Sequence, residues 1–312
     1  MRVLITGGLG QIGSHVAEML LERGDHVCVI DNLATGRKEH LERHENLEVH
    51  LATISNKKFI DYLFEDFKPE VVVHTAASYK DPNDWYNDTL TNCVGGSNII
   101  KASVENNVSK FIYFQTSLCY GLHPQEQPIT LNHPKLPAST SYSITKTANE
   151  DFLEISGLDY VTFRLANVIG PRNVAGPLPI FYKRLKEGQE CFISDSRRDF
   201  VYVKDLAKYT LKACDGIGHG PYHFSSGKDV PIIDLYNEVA SSLGKSDLPS
   251  PEIKPLAEDD VFSILLDPSK TFKDFGEIEF TPLSKTVEDA VKYYNQFGTL
   301  GEYTHLKLDK NK

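Results

Sequence analysis

The sequence predicts an α/β protein: a doubly wound parallel sheet with a smaller, mixed lobe toward the C-terminus. Three observations carry this reading. Apolar runs of strand length alternate with amphipathic stretches of helix length over the first half of the chain. The first run closes on a turn with glycines at positions 7, 10 and 13, and the second closes on an aspartate. Past Pro171 the alternation gives way to loops and helices, including residues 178–185 and 231–236. The expected division is residues 1–166 with a return segment 196–224 in the larger unit, and 167–195 with 225–312 in the lobe.

Taken in order, Val3-Leu4-Ile5-Thr6 reads as a buried strand, and apolar residues then recur at Ile12, Val16, Met19 and Leu20 with helical spacing. Between them, Gly7 and Gly10 permit a tight turn whose backbone N–H groups can approach a pyrophosphate, while Gly13 lets the helix pack closely on the strand. Gln11 and Ile12 open that helix, whose N-terminus offers unpaired N–H groups and a partial positive charge. The second strand, His26-Val27-Cys28-Val29-Ile30, ends in Asp31, 24 residues past Gly7. An acid about 20 residues on binds the adenosine ribose hydroxyls in a Rossmann-like fold. Such an acid repels a 2′-phosphate, so the expected cofactor is NAD rather than NADP. Asn32 to Gly36, with Thr35, form a polar loop where the adenosine end can lie.

Leu47-Glu48-Val49-His50-Leu51 alternates apolar with polar residues, as a strand with one buried face does. Glu70-Val71-Val72-Val73-His74 is a buried β-branched strand that delivers Thr75-Ala76-Ala77 to the edge holding the glycine turn. A helix through residues 92–100 leads to a strand at 111–114, which ends in Gln115-Thr116-Ser117. In a sheet of this kind ligands bind at the carboxyl ends of the strands.

Composition narrows the function. A net charge of −10 without a basic cluster argues against a nucleic-acid surface. No charge-free run reaches spanning length and the N-terminus enters a strand at once, so no membrane segment or signal peptide is expected, and the location expected is cytoplasmic. Cys28, Cys93, Cys119, Cys191 and Cys214 are odd in number and widely spaced, which suits buried free thiols better than disulfides or metal ligands. The histidines show no ligand spacing, so no metal is expected. His223, within Tyr222-His223-Phe224, reads as a packed or solvated strand residue.

Residues 141–150 read as a helix with Tyr142 and Lys146 one turn apart on one face. A free tyrosine has a pKa of about 10, so a neighbouring cation is needed for it to act as a base at neutral pH. Lys146 is placed to supply it. Tyr182 with Lys186 and Tyr303 with Lys307 share the spacing but read as surface pairs. What distinguishes Tyr142 is Thr116, a hydroxyl at the end of the preceding strand.

At this point the chain resembles the extended short-chain dehydrogenase/reductases, specifically the NAD-dependent nucleotide-sugar epimerases and dehydratases. The matching segments are the glycine turn, Asp31-Asn32-Leu33, His74-Thr75-Ala76-Ala77, Asn92, residues 116–121, Tyr142 with Lys146, residues 164–172, and residues 198–205. The resemblance implies that Gly7, Gly10, Gln11, Ile12, Asp31, Asn32, Thr35, Gly36, Thr53, Ile54, Thr75, Ala76, Ala77 and Asn92 hold the cofactor. It implies that Tyr142 is the acid/base, that Lys146 binds the nicotinamide ribose, that Thr116 orients the sugar hydroxyl, and that Asn167 and Arg198 meet the substrate. It also implies a homodimer through the helices carrying Asn92 and Tyr142. Three departures stand out. Thr53 replaces an aspartate usual near the adenine, the segment before Arg198 is short, and no second diphosphate-binding arginine occurs near residues 257–260, where Lys254 is the substitute available.

The reaction implied is epimerisation at C4 of a nucleotide-linked sugar, most simply a UDP-sugar. Dehydratases of the family carry Asp-Glu after the catalytic threonine, and here Ser117 and Leu118 stand in those positions. Leucine neither gives nor takes a proton, which disfavours dehydration. The alternatives are a nucleotide-sugar dehydratase or reductase of the same family and a non-catalytic NAD-binding regulatory protein. By resemblance, Ile264, three residues before Asp267-Pro268-Ser269-Lys270, lies beside the C2 substituent of the sugar and leaves room for an N-acetyl group. A role in surface-polysaccharide synthesis is then expected.

Overall fold

The computed structural model describes residues 1–79, 81–137, 140–256 and 261–300. Its main sheet uses β1 (Arg2–Thr6), β2 (His26–Asp31), β3 (Leu47–Leu51), β4 (Val71–His74), β5 (Lys110–Thr116) and β6 (Tyr160–Leu165). After β7 (Asn167–Ile169), β8 (Phe192–Ser194), β9 (Arg197–Arg198) and β10 (Phe200–Tyr202), the chain returns to it as β11 (Gly220–Phe224). The order is β11-β6-β5-β4-β1-β2-β3, all parallel. Winding runs outward from β1 to β3 and then restarts at β4 on the other side of β1. That reversal opens a crevice at the carboxyl ends of β1 and β4, where ligands of such sheets bind.

Helices cover both faces. Side chains alternate along β1, so Val3 and Ile5 join α1 (Gln11–Glu22) in one buried cluster while Leu4 joins the opposite one. The second cluster is closed by α2 (Lys57–Phe67) and α4 (Gly96–Glu105). Asn56 starts α2 by accepting the N–H of Phe59 at 3.3 Å. Between β4 and α4 run a short α3 (Trp85–Asp88) and seven residues, Thr89–Gly95, in wider π-helical turns. α5 (Ser141–Glu154) begins with a reciprocal cap, Thr140 accepting from the N–H of Ser143 at 3.1 Å and the Ser143 hydroxyl from that of Thr140 at 3.3 Å.

The lobe packs α6 (Pro177–Glu187), α8 (Ile232–Ser242) and α10 (Leu283–Phe297) around Leu178, Phe181, Leu235, Val239, Val287 and Val291. Two-stranded pairs stitch it together: β10 with β7, β12 (Val230–Pro231) with β9, and β13 (Glu252–Lys254) with β8. The helix preceding β11, α7 (Val203–Cys214), packs with α1 in the first cluster, and the short α9 (Ser269–Phe275) reaches that cluster through Phe275.

Two expectations are revised. β3 is a strand, but Val49 and Leu51 are exposed, because β3 is the sheet edge and only a short 3-10 turn (Lys38–His40) precedes it, in place of a covering helix. Tyr182 is not a surface residue: it is buried in the lobe core and donates to Asn295 Oδ1 at 3.1 Å, which Lys186 also reaches at 2.8 Å. His223 is fully buried on β11. Tyr303 and Lys307 lie outside the described residues. All five cysteines are free. Among the described residues no helix is long and apolar enough to cross a membrane.

Candidate active site

The glycine turn follows β1 as a cradle. Gly7 has φ of +67°, and a Cβ there would lie 2.8 Å from the Ala76 backbone. At Gly13 a Cβ would sit 2.5 Å from the Gly7 carbonyl oxygen and 2.8 Å from Gly8 Cα, which is why α1 can start so close to the strand. Gly10 heads α1, and neither a side-chain cap nor an acidic residue occupies its first turn, so the leading N–H groups of Gln11 and Ile12 remain for an anion. Thr75 ties the end of β4 to this turn through its hydroxyl, which donates to the carbonyls of Thr6 (2.7 Å) and Gly7 (3.1 Å). Ala76 and Ala77 follow with side chains too small to block the crevice.

Asp31 ends β2 beside this cradle and is buried. Its carboxylate accepts the backbone N–H groups of Leu9 (3.0 Å) and Leu33 (2.7 Å), and burial pushes its pKa up against those two bonds. The Asx turn holds Leu33 at φ +59° and aims the loop from Asn32 through Thr35 to Gly36, whose added Cβ would meet Asp31 Oδ1 at 2.9 Å. Ile54 is buried against Gly95, whereas Thr53 before it is exposed, its hydroxyl bonded to that of Ser55 at 2.9 Å. The residues thus fit a dinucleotide whose adenosine ribose would lie on Asp31. NAD is expected to bind about tenfold or more tighter than NADP in calorimetry, since a 2′-phosphate would face a buried carboxylate. Equal affinities would contradict that role.

Asn92 does not face the crevice with a spare donor. Its Nδ2 donates to the Ser78 carbonyl and to Thr145 Oγ1, both at 3.0 Å, and its Oδ1 accepts the Ser78 N–H at 2.8 Å. It therefore clamps the loop after β4 to α5.

Tyr142 and Lys146 lie on the α5 face turned to β5. Tyr113 on β5 donates to the Lys146 carbonyl at 2.9 Å, and Lys146 Nζ sits 4.1 Å above the Tyr113 ring. Burial drives the Lys146 pKa down to about 7, with Glu150 opposing the change. The Tyr142 phenol is pushed well above its ordinary value, first by burial and then by Tyr79 and Asp88. The Tyr79 ring meets it edge-on at 6.1 Å. Thr116 ends β5 and accepts the Leu118 N–H at 3.2 Å, which fixes its hydroxyl at the strand mouth. His74, stacked on Tyr113 and bonded to Thr6 Oγ1 at 2.6 Å, is held neutral by burial with its pKa near 3.

On the lobe side, Asn167 pairs with β10 through its N–H to the Asp199 carbonyl (2.9 Å). Arg198 Nη1 donates to the carbonyls of Arg197 and Val261, both at 2.8 Å. Asp199, fully buried, is held by Ser225 and Ser226 and fixes the strand beneath Arg198. Ile264 is buried in a cluster with Tyr120, Cys119, Ile129 and Leu266. Lys254 is exposed and lies over the Phe192 ring at 4.2 Å, and residues 257–260 lie outside the described residues. Linear spacing also missed a proximity: the β2–β3 register brings Cys28, Glu48 and His50 within 4.8 Å. The Cys28 thiol is fully buried and pushed far up, so it stays protonated. Sequence reasoning passed over Gln115, Glu150 and Arg164 as well, although the four-residue step from Lys146 to Glu150 placed Glu150 on the catalytic face.

Comparison with known proteins agrees with this geometry. Residues 3–223 match the model of the NAD dependent epimerase/dehydratase family. The crystal structure of the Bordetella bronchiseptica enzyme WbmH in complex with NAD+ is 61% identical, with a TM-score of 0.94 and coverage of 96% of this chain and 99% of that one. WbmG from the same organism, in complex with NAD and UDP, is 40% identical with a TM-score of 0.89, covering 98% of each chain. UDP-glucose 4-epimerase of Halalkalibacterium halodurans is 28% identical over 331 residues, spanning 95% of this chain and 96% of its own. With the glycine cradle, Asp31 and the Tyr142–Lys146 helix in place, the chain belongs to the NAD-dependent epimerase/dehydratase family and is an NAD-dependent epimerase.

Proposed function

We propose that this enzyme inverts C4 of a UDP-sugar through a transient 4-keto sugar. The observation that carries the reading is the docking of α5, with Tyr142 and Lys146 one turn apart, on β5 through the Tyr113 bond to the Lys146 carbonyl, with Thr116 ending that strand and Leu118 where an acid would be needed for dehydration. NAD held by the glycine cradle and Asp31 would supply reversible hydride acceptance. Tyr142 takes the proton of the 4-hydroxyl as the C4 hydrogen leaves, and gives it back to the keto oxygen after the sugar has turned over, so no net oxidation occurs. The protonated Lys146 favours the phenolate and binds the nicotinamide ribose. Thr116 orients the 4-hydroxyl, Asn167 contacts the substrate, Arg198 meets its diphosphate, and Asn92 acts through the Ser78 loop. The likeness to chains named UDP-glucose 4-epimerase and to one crystallised with UDP supports the UDP-sugar class.

By the same resemblance Ile264, buried here with Tyr120 and Leu266, stands beside the C2 substituent and leaves room for an N-acetyl group, so UDP-N-acetylhexosamines or their uronic acids are the proposed substrates, as suits precursors of a surface polysaccharide. The location is the cytoplasm, where NAD and UDP-sugars are made. Incubation with UDP-N-acetylglucosamine, UDP-glucose and their uronic acids, with epimers resolved by NMR, is expected to show turnover of acetamido sugars. Turnover confined to sugars without the acetamido group would sink the role of Ile264, and turnover of none would sink the reaction.

The same helices support a homodimer. Ile144, Phe152 and Ile155 stay exposed along one side of α5, and Val94 along the neighbouring helical stretch, a stripe that a second copy would cover. Sedimentation at micromolar concentration is expected to give twice the 35.0 kDa chain mass, and a monomer there would refute the dimer.

A further inference from the structure

A buried polar chain runs beneath the catalytic residues. Gln115, 1% exposed, immediately precedes Thr116 on β5. Its Oε1 accepts the Thr116 N–H at 2.8 Å and its Nε2 donates to Glu150 Oε2 at 3.0 Å. Glu150, fully buried, lies one turn beyond Lys146 on α5, and its other oxygen receives Arg164 Nε and Nη2, both at 3.0 Å. Donor directions then continue in one sense. Arg164 Nη1 donates to the Tyr120 hydroxyl at 2.7 Å. The His223 Nδ1 partner at 2.9 Å is the Asp267 carbonyl, which only accepts, so Nδ1 carries the proton and Nε2 accepts from Tyr120 at 2.6 Å.

The buried residues of α5 are polar except Leu153, so apolar packing alone leaves the helix freedom to slide along the strand ends. The planar amide of Gln115 removes that freedom, because one rigid group bonds both the amide of Thr116 and the helix face of Lys146. An apolar side chain at 115 would strand two buried polar groups, a cost that marks the bond pair as specific rather than incidental. The Tyr113 bond to the Lys146 carbonyl is a separate tie, so α5 stays docked when Gln115 is replaced.

We propose that Gln115 is a positioning residue that sets the Thr116 hydroxyl against Tyr142. The proposal rests on the reading that both groups act on one sugar hydroxyl. It is tested by a double-mutant cycle on the NAD-bound enzyme with Gln115→Met, Thr116→Val and the pair. Gln115→Met is expected to lower kcat about tenfold with KM within about twofold, and the double variant to be no slower than Thr116→Val by more than about threefold. Losses that multiply, or an unchanged kcat, overturn the proposal. Amide hydrogen exchange across residues 114–118 supplies an arm independent of turnover: protection is expected to fall in Gln115→Met, and unchanged protection overturns the tether even if no epimer forms. Absence of epimer from the wild type, by contrast, counts against the reaction. Gln115→Asn, too short to span both partners, is read by the same criteria if Gln115→Met does not fold.

Discussion

Tyr142→Phe is expected to lower turnover by about 10²–10⁴-fold while leaving the fold and NAD binding as in the wild type. The substitution removes one oxygen. The ring remains to meet Tyr79 edge-on, the α5 cap at Thr140 and Ser143 is untouched, and the glycine cradle lies on separate elements. The effect is expected to be large because burial, with Tyr79 and Asp88 nearby, holds the phenol far above its ordinary pKa, so the proposed acid/base step depends on a cation that Lys146, one turn along α5, is proposed to supply. Wild-type turnover in this variant, with NAD content measured in parallel, would exclude Tyr142 as the acid/base.

Lys146→Met is expected to do two opposite things. Turnover is expected to fall by orders of magnitude if Lys146 is the cation that favours the phenolate, as proposed, yet the NAD-free protein becomes more stable at and below pH 7. The sign follows from linkage. In the unfolded chain the lysine titrates at its ordinary 10.5, and in the folded one near 7. Between those values the unfolded state holds the extra proton, so wild-type stability rises with pH there. Below pH 7 both states are protonated and the burial penalty is constant and full. At about 1.4 kcal/mol per pH unit between the two values, the penalty amounts to several kcal/mol. Thermal melts of both proteins should therefore differ most below pH 7 and converge toward pH 10. A gap independent of pH, or of opposite sign, would mean that Lys146 is charge-compensated in the folded state.

The parallel sheet was legible because its inner strands are buried and apolar on both faces, as in Val71-Val72-Val73, and because Gly7 and Gly13 occupy positions where a Cβ has no room. Asp31 and the Tyr142–Lys146 step were legible because their spacing along the chain is their geometry. What stayed hidden depends on register and docking. Nothing local distinguishes Val49 and Leu51 from a covered strand face, since their exposure reflects a helix that is missing from the connection. Asn92 could be placed near the crevice but not assigned its Ser78 and Thr145 partners, which come from two other elements. Glu150 and Arg164 are 14 residues apart on a helix and a strand, and only the folded packing pairs them.

The return of the chain to its sheet at β11 also sets a biosynthetic interval. β6 ends at Leu165, and the strand that covers its outer edge begins at Gly220, 55 residues later. The first cluster likewise stays half-open on the nascent chain until residues 203–214 emerge to lie with α1. At ribosomal speeds of about 5–20 residues per second, the edge stays bare for roughly 3–11 s. An unpaired parallel edge beside an apolar face is a template for mispairing, so this is the window in which a chaperone would be needed.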